Sequence, residues 1–133
     1  MRIVLDTNVL VSGLLSPHGP PGRIVDLLLG GKLTLVFDDR LLAEYRAVLK
    51  RPRFGFDSEE VDAVLDYLES EGELIVTAPL GAELPDPGDL PFLEVAAQGE
   101  VDALVTGNLK HYPASQRGSV RVDRPADFLR RFH

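Results

Sequence analysis

The chain has 133 residues, of which 44% are hydrophobic and 26% charged, which fits one ordinary globular domain near the commonest domain size. It holds no cysteine, which excludes a disulfide framework, thiolate zinc sites and a cysteine nucleophile. The formal net charge of −7 argues against sequence-independent binding to nucleic acid phosphates and fits a protein that gathers carboxylates around a cation.

Read in chain order, Arg2 to Leu5 (RIVL) is a short apolar run expected to form a strand buried on both faces. Residues 8–15 (NVLVSGLL) read as a short apolar helix or turn. Ser16 to Gly22 is dense in breakers and reads as a loop. Arg23 to Leu29 is helical, stopped by Gly30-Gly31, and Leu33 to Phe37 is a strand. Asp38 or Asp39 can cap a helix running to about Lys50, with Leu41, Leu42, Tyr45, Val48 and Leu49 on its core face. Arg51 to Gly55 breaks it, and Ser58 starts another helix on the period of Val61, Val64, Leu65 and Leu68. Glu73 to Thr77 reads as a third strand, Ala78 to Gly88 as loop, and Leu90 to Gln98 as an apolar helix. Ala103 to Thr106 is a fourth strand, Ser119 to Val122 a short fifth, and Pro125 to Phe132 a closing helix with proline in its first turn. Strands alternating with helices predict a mostly parallel sheet of four to five strands, covered on both faces, in a single domain over 1–133. No apolar run is long enough to span a bilayer, and Asp6 and Asn8 break the N-terminal apolar stretch, so the expected location is cytoplasmic.

Ligands of such sheets bind beyond the carboxyl ends of the strands. Asp6 and Asn108 both stand just past a strand. Thr7 and Asn8 follow Asp6, and all three residues are good helix N-caps. One cap suffices, so three consecutive candidates favour a functional role. Glu44 follows Leu41 and Leu42 and precedes Val48 by one helical turn, close to the apolar stripe rather than opposite it. In Asp86-Pro87-Gly88-Asp89 the cap-like pattern needs no function, yet it leaves Asp89 in a helix's first turn, available to a cation. Asp102 reads as the start of a strand after a turn. The chain has only two asparagines, Asn8 and Asn108, both just past strand ends, which suggests particular jobs for them. Hard cations take oxygen ligands, and carboxylates gathered from several elements repel unless a cation sits among them. Lys50, Arg51 and Arg53 form a basic cluster, joined in principle by Lys110, His111, Arg117, Arg130 and Arg131. Encircling an acidic site, such groups would hold a polyanion.

The order VLDTNVLVS, then LLAEY around residue 44, then DPGDLPFLEVA, then VDALVTGNLKHY, resembles the PIN domain. More narrowly it is similar to small PIN proteins classed as VapC-type toxins of toxin–antitoxin systems. The resemblance runs from residue 1 to about 115 and implies an α/β/α sandwich. It also implies an Mg²⁺- or Mn²⁺-dependent ribonuclease whose acids meet at the strands' carboxyl ends. Asp6 would be the first metal ligand, Glu44 the second acid and Asp89 the third, with Asp86 beside it. Asn8 and Thr106 would support the site by hydrogen bonds. A fourth acid often follows Thr-Gly in this family, where this chain has Asn108. Its carbonyl could still ligate or hold a water. The implied reaction is RNA hydrolysis to 5′-phosphate and 3′-hydroxyl ends, with Asp89 or Glu44 orienting or deprotonating the water. The implied partners are RNA, a cognate antitoxin protein and a second copy in a homodimer.

Two rivals stand beside this reading. A haloacid-dehalogenase-like phosphatase also places an Asp after its first strand, but needs a second acid where Asn8 stands. A catalytically degenerate PIN fold would bind RNA or a protein partner without cleavage, and metal affinity discriminates it from the nuclease.

Overall fold

The computed structural model describes residues 1–132. Its elements are β1 (Arg2–Leu5), α1 (Thr7–Leu15), α2 (Pro20–Leu29), β2 (Thr34–Phe37), α3 (Asp39–Leu49), α4 (Ser58–Glu71), β3 (Glu73–Leu74), α5 (Leu90–Gln98), β4 (Ala103–Val105), β5 (Val122–Asp123) and α6 (Pro125–Arg131). The strands form one sheet in the order β3-β2-β1-β4-β5, and every pairing is parallel. Ile3, Val4, Leu5, Leu104 and Val105 are fully or almost fully buried, as central strands covered on both faces must be.

The connections through α1 to α4 run one way along the sheet and the one through α5 runs the other, so the right-handed crossover rule for parallel strands places them on opposite faces; α5 packs across β1, β2 and β4. The chain leaves β1 towards β2 but enters β4 from β3, so strand order reverses between the two neighbours β1 and β4. Their connections diverge, and a crevice opens at their carboxyl ends. Asp6 follows β1 and Thr106 follows β4, which places both at that switch point.

Several boundaries differ from the sequence reading. The chain from Thr7 is a true helix. Helix α2 begins at Pro20 rather than Arg23, because prolines are accepted in a first turn whose N–H groups have no helical partner. Only Glu73 and Leu74 of the expected third strand pair as β structure, although the Ile75 N–H still donates to the Phe37 carbonyl at 2.9 Å. Beyond it Val76 is 94% exposed, and the Thr77 hydroxyl is held by Arg40 and Asp38. The fifth strand falls at Val122–Asp123 rather than 119–122, after Gly118 turns the chain with φ of +58°. Asp102 is structural, accepting the Arg2 N–H at 2.8 Å.

The helix pair that carries Thr7 is packed to backbone contact. A Cβ on Gly22 of α2 would lie 2.2 Å from the Pro17 carbonyl oxygen, and one on Gly13 of α1 would lie 2.6 Å from Val25 Cγ2. Neither clash can be relieved by a rotamer change alone, since backbone atoms crowd both positions. Gly22→Ala is therefore expected to lower unfolding stability by about 1–3 kcal/mol, the usual range for overpacking, as read by urea denaturation.

Candidate functional site

Strand β1 delivers Asp6 to the crevice with its N–H bonded to the Val105 carbonyl at 2.9 Å. Asp6 occupies the N-cap position of α1, yet its side chain makes no cap hydrogen bond. Its Oδ2 instead accepts the Thr106 hydroxyl at 2.8 Å and the Tyr112 hydroxyl at 3.3 Å. The redundancy of Asp-Thr-Asn thus resolves into three jobs. Asp6 is directed into the sheet's switch point, Thr7 donates its hydroxyl to Glu44 Oε2, and Asn8 Oδ1 receives the Gly107 N–H at 3.4 Å.

Glu44 sits half-buried on α3, beside the buried Tyr45, whose hydroxyl donates to the Leu5 carbonyl at 2.5 Å. Its place near the apolar stripe follows from the helical spacing. Asp86 caps the turn that leads into α5 by accepting the Gly88 N–H at 2.9 Å. Asp89 makes no such cap bond and lines the cleft. Its Oδ2 is buried without a hydrogen-bond partner, although His111 Nδ1 lies 3.0 Å away. Asp6, Glu44 and Asp89 therefore line one cleft of about 510 Å³ from three separate elements.

The cleft resists negative charge. Burial, helped by the Glu44 charge, pushes the Asp6 carboxyl up, against the two hydroxyl donors that favour its ionised form. Burial first, then the Asp6 charge, pushes the Asp89 carboxyl up to about 6, with His111 opposing and Asp86 and Glu44 adding to the rise. Burial and the neighbouring Asp6 and Asp89 charges raise the Tyr112 phenol as well, so it stays protonated and donates. Three carboxylates gathered on one cleft, one with a buried oxygen that forms no hydrogen bond and meets only a histidine nitrogen, fit a hard cation. Among the described residues, however, no three such side chains already converge into a closed metal cage.

The remaining predicted residues divide. Thr106 is fully buried and supports Asp6. Asn108 Oδ1 accepts the Lys110 N–H at 3.1 Å, and its own N–H donates to the Thr106 hydroxyl at 3.2 Å, so it shapes the turn behind Asp6. Arg51, Arg53 and His111 line the cleft, whereas Lys50 is drawn away to Asp62 at 2.8 Å and Lys110 is exposed outside the lining. Arg117 bonds the Tyr112 carbonyl, and Arg130 and Arg131 pair with Asp127 and Asp123. Tyr112 and the Thr7 to Glu44 bond were not singled out by sequence pattern. Tyr112 closes the stretch VDALVTGNLKHY, but nothing in its spacing points to Asp6.

These features define an α/β/α domain with an acidic cleft at the switch point of its sheet. A family model described as PIN domain matches residues 2–110, and the chain belongs to the PIN domain family. It is 23% identical over 142 residues to an uncharacterized protein of Methanocaldococcus jannaschii, across 99% of this chain and 92% of that protein. Its fold is similar, with a TM-score of 0.60 at 20% identity, to a chain in the crystal structure of VapBC2 from Rickettsia felis bound to a DNA fragment from their promoter. That match covers 93% of this chain and 98% of the other.

Because the fold raises Asp89 above its ordinary 3.8, the native state holds that proton more tightly than the unfolded chain. The resulting cost is absent below about pH 4, grows between about 4 and 6, and is fully present above that. In EDTA at pH 7, Asp89→Asn is expected to stabilise the protein by about 1 kcal/mol, with the gain vanishing towards pH 4 in thermal melts.

Proposed function

We propose that this protein is a divalent-metal-dependent ribonuclease that uses Mg²⁺ or Mn²⁺. The observation that carries the reading is the convergence of Asp6, Glu44 and Asp89 on one cleft, with a buried Asp89 oxygen left unpartnered. Membership of the PIN domain family supports it. A divalent cation bound there would supply the positive charge the acids lack and polarise the phosphodiester.

Asp6 has Oδ2 engaged by Thr106 and Tyr112, which fixes the carboxylate and leaves its other oxygen for the cation. Glu44 is steadied by Thr7, and Asp89 offers Oδ2, which forms no hydrogen bond and faces His111 Nδ1 at 3.0 Å. Asn108 adds an amide and no charge, so three acids rather than four define the site. Arg51 and Arg53 line the cleft beside the acids, where their charge favours a polyanionic strand. Asp89 and Glu44 are the groups that can take the proton of the attacking water. The water oxygen joins phosphorus, the 3′-oxygen leaves and is protonated by solvent, and the products carry 5′-phosphate and 3′-hydroxyl ends.

The likeness of fold to a chain of VapBC2 supports a narrower assignment, the toxin of a toxin–antitoxin pair with a cognate antitoxin protein as partner. A homodimer belongs to the same reading. The absence of a closed cage among the described residues favours one rival, a PIN fold that binds without cutting.

Cleavage of labelled single-stranded RNA with Mn²⁺, Mg²⁺ or EDTA separates the two. Metal-dependent cleavage, reduced about 10²–10³-fold in Asp6→Asn, is expected of the nuclease. Neither cleavage nor Mn²⁺ binding by calorimetry would leave the binding-only fold. Since a ligating carboxyl must shed its proton, Mn²⁺ affinity is also expected to fall as pH drops through about 6, where Asp89 titrates.

A further inference from the structure

Beside the acids, the cleft has an apolar wall formed by Val11, Leu15, Val48 and Phe54. Holding phosphates requires no such wall, and Leu15 keeps half of its surface, 50%, open. Two cations flank the same wall. Arg51 and Arg53 are exposed and form no ion pair among the described residues, while the nearby Arg46 and Lys50 are both committed to Asp62. The Arg53 guanidinium carbon lies 4.7 Å from the centre of the Phe54 ring, and Phe54 in turn stacks on Phe56 at 6.1 Å and 29°. Gly55, with φ of +70°, lets the chain reverse between those two rings. A flat cation laid on an aromatic ring is a surface on which a nucleobase stacks.

We infer that the Arg51–Phe56 turn is a base-binding subsite, which takes one unpaired nucleobase next to the scissile phosphate. The base stacks on the Arg53–Phe54 pair against Leu15 and Val48, and Arg51 holds the adjoining phosphate. Arg51, Arg53 and Phe54 are near neighbours in one turn, so the subsite takes a single base on one side of the cleaved bond. A base inside a duplex keeps both faces stacked on its neighbours and cannot enter. The inference rests on the nuclease reading above, and it adds which part of the chain selects unpaired RNA.

The test uses one oligoribonucleotide in three forms: single-stranded, annealed to its complement, and carrying an abasic ribose beside the cleaved bond. Binding is measured first, with the Asp6→Asn protein, so that the result stands whether or not the wild type cuts. The intact single strand is expected to bind about tenfold tighter than the abasic strand, the size of one base–aromatic stack. Adding Phe54→Ala should remove that difference while leaving affinity for the abasic strand unchanged. Phe54→Leu, which keeps the apolar packing, should behave as Phe54→Ala does, and a circular dichroism melt checks that both variants fold. In the cleaving enzyme the same substitutions should raise KM about tenfold with little change in kcat. Equal affinity for intact and abasic strands overturns the inference, as does equal cleavage of single strand and duplex. Loss of affinity for all strands alike in Phe54→Leu also overturns it. A wild type that binds the intact strand selectively but cuts nothing removes the nuclease reading and leaves the subsite standing.

Discussion

The buried carboxylate of Asp6 is the constraint around which the crevice is organised. A carboxylate with 5% of its surface exposed is costly to hold as an anion without donors. Two hydroxyls meet that need, Thr106 from the end of β4 and Tyr112 from the turn after it. They tie the end of β1 to the chain that follows β4 across the one place where strand order reverses. Because both donors reach Oδ2, the carboxylate is held in one orientation. The two hydroxyls favour the Asp6 anion, but burial first and the neighbouring acids second outweigh them, and the same two causes push Asp89 up. Such opposition is a common mark of a site that awaits a cation or a substrate.

A second network, centred on a half-exposed arginine, positions the third acid. Arg40, on α3, spans Asp38 and Glu94 at 2.8 Å each and donates to the Thr77 hydroxyl at 2.9 Å. Glu94 also receives the Leu80 N–H at 3.0 Å, and Gln98 binds both the N–H and the carbonyl of Ala78. The segment after β3 is thereby strapped onto α5, the helix that begins directly after Asp89. Asp38 and Glu94 are buried acids too, but their charge is met by Arg40, so they form a satisfied structural cluster. In the cleft, by contrast, Asp6 and Glu44 form no ion pair among the described residues, which separates acids that hold the fold together from acids left to bind something.

Much of this was legible in the sequence, for local reasons. The run RIVL has no polar residue on either face after Arg2, so it could only be a buried strand. Asp86-Pro87-Gly88 specified its own capped turn through side-chain chemistry acting over two residues. Glu44 was drawn towards the interior by its spacing from Leu41 and Val48. Where the reading slipped, the cause was non-local. Ile75 to Thr77 has strand composition, but it lies at the sheet's edge, and Arg40 and Asp38 capture Thr77. Lys50 was grouped with Arg51 and Arg53 by adjacency, yet Asp62, distant in sequence, takes it away.

The sequence by itself determined the alternation of strands and helices, the parallel sheet, and the identity of the acids that stand past strand ends or on an inner helix face. Those properties follow from periodicity and capping, which act over a few residues. Only the tertiary structure decided that Asp6, Glu44 and Asp89 share one cleft, that Tyr112 reaches Asp6 from 106 positions away, and which basic residues beside them form no ion pair among the described residues. Those outcomes depend on side chains brought together by the order of strands in the sheet, and no spacing along the chain encodes such a distance.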